Sequence, residues 1–377
     1  MPITLNGDTG IQTPMYNGTI TANAVTPSVN MKNRIINGAM VIDQRNAGAS
    51  VTASTTGAWT YTLDRYAYLV SAASKFTIQQ NAGSVTPPTG FVNYLGVTSS
   101  AATSVASGDY YMIKQAIEGF NTSDLDFGKS TAKTLTLNFW VRSSLTGTFG
   151  GSLQNSAGNR SYPYSYTISA ANTWEQKSIT IAGDTTGTWV GGTNGVGMIV
   201  YFGLGLGSTY SGTSGSWAGA EYYSATGATS VVGTNGATFY ITGVQLEVGS
   251  TATSFDYRPY GTELVLCQRY FQRFGGNSTY ETYAIGQAYN TTSVWATIPL
   301  KVNMRANPTF SPTSGANLQL MNISGTGYAC TSCDIGYGST TSPDLFPVVA
   351  SGLVAGNASV FRSAGTTSGF ISFSAEL

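Results

Sequence analysis

Apolar residues recur along much of this chain at every second position, in short runs divided by Gly, Asn, Ser and Thr. Between Thr134 and Arg142, Leu135, Leu137, Phe139 and Val141 fall on one face and Thr136, Asn138, Trp140 and Arg142 on the other. That period of two predicts a half-buried strand. Met198, Val200, Phe202, Leu204 and Leu206 alternate likewise, while Gly203 and Gly205 leave the opposite face flat and open to a close approach by backbone or a ring. In residues 239–248 the apolar set changes parity, from Phe239 and Ile241 to Val244, Leu246 and Val248, which predicts a β-bulge at Gly243. Short strands with turn residues between them, beginning at Asn33, predict a jelly-roll β-sandwich over residues 33–259.

Two stretches break the rhythm. Residues 1–32 are polar and carry Pro2, Pro14 and Pro27, so they have little to bury and are expected to form an extended arm. After Pro259 and Gly261, Thr262 is placed to cap a helix whose apolar residues Leu264, Cys267, Phe271 and Phe274 repeat at spacings of three and four, with Gly275 and Gly276 to end it. This amphipathic linking helix, expected over 260–276, marks a domain boundary, and its stripe is a candidate packing surface between identical subunits. Strand signals then return at 280–288, 294–300, 318–323 and 369–377, the last alternating Ile371, Phe373, Ala375 and Leu377. The expected fold class is therefore all-β: a jelly roll, a short linking helix, and a second, smaller β-sandwich domain over 277–377.

Charge alters the picture of what such a protein does. Charged residues make up 9% of the 377, with 17 basic against 17 acidic, and no basic cluster stands ready to displace counterions from a nucleic acid. A surface so poor in charge is weakly protected against association, so much of it is expected to be covered by identical chains. The chain has no histidine, which removes the commonest general base and metal ligand together. Cys267, Cys330 and Cys333 are an odd set; the C-x-x-C of the last two lacks the further ligands a zinc site needs, and free thiols with no cofactor are expected. The opening residues do not read as a secretion signal, which points to synthesis in a cytoplasm. The most apolar run, 196–206, is too short to span a bilayer, so no membrane insertion is expected.

Several phrases of the sequence are shared with a recurrent module. Asn33-Arg34-Ile35-Ile36-Asn37-Gly38, Asp43-Gln44-Arg45 and Leu63-Asp64-Arg65-Tyr66, then the stretches 172–175, 182–189 and 241–249, resemble a phage tail-fibre module with a carbohydrate-binding-like jelly roll. Residues 258–264, Cys267-Gln268-Arg269-Tyr270, 303–309 and Ser374-Ala375-Glu376-Leu377 are similar to the C-terminal module that follows in such proteins, and 5–11 to the start of such fibres. The resemblance implies a virion component of the tail, commonly a homotrimer. It carries no catalytic set. It leaves three readings open: a receptor-binding fibre that touches a host glycan without catalysis, a polysaccharide-degrading tailspike, and a purely structural fibre or collar subunit.

Under the first reading residues 1–32 attach to other tail proteins in particles assembled in the host cytoplasm, and the C-terminal domain meets the host. Its candidate contacts are Tyr280, Tyr283, Tyr289 and Trp295, since tyrosine offers a rigid apolar face and a hydroxyl at little entropic cost; Tyr283 and Trp295 serve equally well as core. Trp59, Trp189 and Trp217 sit in turn-rich surroundings where an exposed ring stacks on a sugar face; the strand residues Trp140 and Trp174 read as packing. The hydrolytic reading requires two carboxylates set across a bond, and Asp64, Asp124, Asp126 and Glu221 are as readily turn formers, salt-bridge partners or, for Asp124 and Asp126, calcium ligands.

Overall fold

A computed structural model describes residues 31–377, and before them the antiparallel backbone pairing of Leu5–Asn6 with Gly10–Ile11. The extended arm expected over 1–32 otherwise falls outside the described residues. Lys32–Leu377 form one compact unit.

Besides a short parallel pair, Ser211–Gly212 with Ser224–Ala225, the first part of that unit has twelve strands: β1 Val51–Thr52, β2 Thr60–Tyr61, β3 Ala67–Val70, β4 Phe76–Gln80, β5 Leu95–Ser99, β6 Tyr110–Glu118, β7 Leu135–Ser143, β8 Gly147–Gln154, β9 Ser161–Ile168, β10 Glu175–Ile181, β11 Val196–Leu206 and β12 Thr238–Val248. They build two six-stranded sheets, ordered β9-β8-β11-β6-β3-β2 and β10-β7-β12-β5-β4-β1. Strands remote in sequence lie side by side, as a jelly roll requires. Leu135, Leu137, Phe139 and Val141 of β7 are buried, as are Met198, Val200, Phe202 and Leu204 of β11, and Phe139 meets Phe202 edge to face at 5.2 Å.

Irregularities in pairing tune these sheets. The pairing of β12 with β7 slips between Thr242 and Gln245, and Gly243 takes φ 60°. The expected bulge is there, and both apolar sets of β12 reach the core except Val248, which is exposed. A second slip, between Gly203 and Gly205 of β11, turns Leu206 onto the opposite face, where it packs beside Tyr201 and Tyr223. The close approach expected over Gly203 and Gly205 is made by the chain's own segment: a Cβ there would stand 2.9 Å from Ser224 Oγ and 2.7 Å from Val232 Cγ2.

The linking helix is shorter than its apolar spacing predicts. Helix α1 covers Tyr260–Gln268, begins directly after Pro259 with no side-chain cap, and so holds Thr262 inside its first turn. Phe271 and Phe274 belong to strand β13, Phe271–Gly275. Pairing with a distant strand overrides the local periodicity, because β13 is hydrogen-bonded to β21, Phe370–Ser374, at the far end of the chain. The stripe is turned inward as well: Cys267 and Tyr270 pack on Ile36 and Ile42, with Leu264 beside them.

Beyond α1 come β14 Thr282–Ala288, β15 Val294–Thr297, β16 Thr309–Pro312, β17 Leu318–Met321, β18 Gly327–Tyr337, β19 Asp344–Val349 and β20 Ala358–Ser363, ahead of β21. Six of these strands close on themselves in a barrel, β14-β15-β19-β18-β17-β20, instead of lying as two separate faces, within the same compact unit as the jelly roll. Beside it stands the sheet β13-β21-β16. Closure leaves no free strand edge, and Val294, Ala296, Leu318, Leu320, Leu345 and Phe361 fill the interior.

Several of these sequence phrases meet at one seam. Asn33 donates through Nδ2 to Val244 O at 3.0 Å, and its Oδ1 accepts from the amides of Ile35 and Leu246. Arg45 and Arg65 both bind Glu376, Arg45 at 2.8 Å. The Arg65 guanidinium lies 3.5 Å over the Tyr270 ring. Arg269 pairs with Glu118 at 2.6 Å, and the Tyr270 hydroxyl donates to the same carboxylate. Arg305 donates to the carbonyls of Ala375 and Glu376 at 2.7 and 2.8 Å. These phrases lock jelly roll, helix and final strand together.

Candidate functional site

The barrel has an aromatic band on its outer face, and the strand register builds it. Strand β15 alternates Val294 and Ala296 inward with Trp295 and Thr297 outward. Its pairing with β14 sets Gln287 opposite Trp295, and its pairing with β19 sets Thr297 opposite Asp344. Strand β19 sends Leu345, Pro347 and Val349 inward, so Asp344 and Phe346 face out. On the next strand Asp334 stands opposite Phe346 and Tyr337 opposite Asp344. One outward row therefore reads Gln287, Trp295, Phe346, Asp334, and its neighbour Thr297, Asp344, Tyr337.

The rings touch. Trp295 meets Phe346 at 5.7 Å and Tyr337 at 5.4 Å, and Tyr289, just past the end of β14, meets Phe346 at 6.2 Å. Tyr289 is 71% exposed, Tyr337 66% and Trp295 36%. Held by a closed sheet and by each other, the rings form a preorganised apolar surface with polar groups at its rim. Asp344 accepts from the Thr297 hydroxyl at 2.5 Å, and the Asp334 and Gln287 side chains are exposed.

The residues expected from sequence divide sharply. Tyr289 and Trp295 come together in the band. Tyr283 does not belong to it: it is 7% exposed and packs on Phe361 at 5.2 Å inside the barrel. Tyr280 is exposed but lies apart, with Arg362 over its ring at 4.8 Å. Trp189 and Trp217 are half-buried and pinned: Trp189 Nε1 donates to Asp184 Oδ2, Trp217 Nε1 to Ala182 O, and the two rings meet edge to face at 5.5 Å with Phe127 against both. They close one end of the jelly roll as packing. Phe346 and Tyr337 were missed. The parity of β19 carried the signal for Phe346; for Tyr337 there was none, because β18 slips between Ile335 and Tyr337.

The carboxylates weighed for catalysis are engaged elsewhere. Asp124 binds Arg34 at 2.7 Å, Asp126 binds Lys129 at 2.9 Å, and Glu221 accepts from the Tyr223 hydroxyl at 2.5 Å. Asp64 is buried in the seam, accepting from the Gln44 amide and Nε2 at 2.7 and 2.6 Å. Burial pushes its carboxyl up to about 7 against the pull of Arg45. Among the described residues no three His, Cys, Asp or Glu side chains gather as a metal site, and no helix is long and apolar enough to cross a membrane. All three cysteines are unbridged and buried.

No protein-family profile matches this chain, and no curated protein does. Among solved structures it is similar to the enzymatically active domain of tailspike protein 4 of bacteriophage CBA120, at 12% identity over 58% of this chain and 22% of that one, TM-score 0.30. It is also similar to a protein from Bacteroides thetaiotaomicron described as sugar-binding, at 13% identity over 58% of this chain and 100% of that one, TM-score 0.31. A family 11 carbohydrate-binding module from Clostridium thermocellum matches at 10% identity over 54% and 96%, TM-score 0.25. Likeness at these scores carries nothing about what this chain binds.

Proposed function

We propose that this chain is a receptor-binding tail-fibre subunit of a phage, which lays a host surface glycan against Tyr289, Phe346, Trp295 and Tyr337 and does not cleave it. The observation that carries this reading is the aromatic band. Exposed contiguous rings on a monomeric surface mark an interaction site, and a flat ring with polar neighbours suits a pyranose, whose C–H face stacks while its hydroxyls bond at the rim. Binding without cleavage is supported by the engagement of the carboxylates weighed for hydrolysis, with Asp124 and Asp126 in ion pairs, Glu221 held by the Tyr223 hydroxyl and Asp64 enclosed in the seam. Each sugar contact is weak, so a homotrimer supplies avidity. Residues 1–32 attach the subunit to the rest of the tail, and the particle is assembled in the host cytoplasm.

Purified protein is expected to adsorb to host cells and block infection. The double variant Trp295→Ala, Tyr337→Ala should weaken adsorption by roughly 30-fold or more, as loss of an interface anchor does, while the melting temperature holds. Adsorption unchanged in that variant, or a change in native mass instead, makes the band a contact between subunits and ends the reading. Release of oligosaccharides by the intact protein hands it to the hydrolytic alternative.

A further inference from the structure

The same band carries a charge pattern that narrows the ligand. Asp334 stands opposite Phe346 and Asp344 opposite Tyr337, so each carboxylate adjoins a ring of the band. Neither forms an ion pair among the described residues. The basic residues of 277–377 are Lys301, Arg305 and Arg362, and all three are occupied away from the band. Lys301 donates to Arg273 O and lies over Phe274, Arg305 holds the carbonyls of Asn194, Ala375 and Glu376, and Arg362 lies over Tyr280. From residues 277–377 the band thus draws two acceptor carboxylates and no cation.

Resting on the glycan reading above, we propose that this face selects glycans free of carboxylate, phosphate and sulfate, with Asp334 and Asp344 as the specificity-determining residues. A carboxylate accepts hydrogen bonds from sugar hydroxyls, charge-assisted and stronger than neutral ones. An anionic group brought to the same rim meets two like charges and no partner, and a discriminating interface works through such repulsion as much as through attraction. Aromatic stacking supplies contact; the carboxylates decide which glycan keeps it.

The test uses the full chain on an array of bacterial polysaccharides, followed by titration of the best-bound glycan and of the same glycan after selective oxidation of its primary alcohols to carboxylates. The tightest hits are expected to be uncharged or amine-bearing. The oxidised form should bind roughly tenfold more weakly at low salt, and less so as salt screens the repulsion. In the Asp334→Asn, Asp344→Asn variant that gap should shrink to about threefold or less. Hits that are mainly acidic glycans, or a gap of the same size in the variant, overturn the charge selection. Trp295→Ala separates the two claims: binding that depends on Trp295 but ignores ligand charge sinks this inference alone, whereas binding untouched by Trp295→Ala, or no binding to any glycan, sinks the glycan reading with it.

Discussion

Cys330 and Cys333 stand three residues apart, a spacing that places strand residues on opposite faces, yet both side chains enter the barrel core. The pairing of β18 with β19 slips between Cys330 and Ser332, and the slip restores them to one side. Burial then pushes the Cys330 thiol up to about 12 and Cys333 up as well. Two other buried groups make stability depend on pH. Asp64 rises from 3.8 to about 7 in the folded chain through burial. The folded state therefore keeps a proton that the unfolded chain has released, and stability falls as pH climbs from 4 to 7. Lys114 falls from 10.5 to about 8 through burial and the nearby Arg65. The folded state releases this proton first, which favours the fold as pH climbs above 8, while the three buried thiols, raised from 9.0, keep protons that the unfolded chain loses and so oppose it above pH 9. Melting temperatures are expected to fall from pH 5 to 7. Asp64→Asn should flatten that fall. A melting temperature that climbs steadily from pH 5 to 7 would contradict the assignment.

Among the elements, the final strand and its three-residue tail matter most to the seam. Strand β21 pairs with both β13 and β16, and past it Glu376 takes Arg45 and Arg65 while the Tyr61 hydroxyl donates to Leu377 O at 2.5 Å. Breaking a buried ion pair from one side leaves an uncompensated charge and costs about 3–5 kcal/mol. Glu376→Ala is expected to lose stability in that range, read as a lower denaturant midpoint at unchanged slope, because Arg65 loses its carboxylate in a buried site. An effect below about 1 kcal/mol would mean that water reaches the guanidinium. Helix α1 shows the same logic in reverse: its apolar spacing runs on to Phe274, but the hydrogen-bonding offered by β21 takes the chain from Phe271 onward.

The whole molecule has few charges and several exposed apolar side chains on α1 and nearby: Tyr260 is 63% exposed and Val265 49%, with Tyr257 and Val92 also uncovered. The stripe of Leu264 and Cys267 serves the chain's own interior, so any packing around a three-fold axis falls to this other side of the helix. Light scattering of the full chain at micromolar concentration is expected to give three times 39.4 kDa, and Val265→Asp with Tyr260→Ser to lower that mass. A native mass near 39.4 kDa for the unaltered chain removes the trimer.

Alternation along β7, β11 and β12 was legible because a strand's period of two needs only neighbouring residues. The bulge at Gly243 was legible as the point where that parity changed. The phrases 33–38, 63–66, 267–270 and 374–377 were legible as a pattern, but their purpose was not, because the ion pairs that join Arg65 to Glu376 span most of the chain. Half of the band followed from the positions of Tyr289 and Trp295. Phe346 and Tyr337 reach them only through the pairing of β19 with its neighbours, and Tyr283 leaves them because β14 turns it into the barrel. Sequence determined which residues alternate; closure of the barrel and the register between distant strands decided which rings meet in solvent, since both depend on contacts that no local window contains.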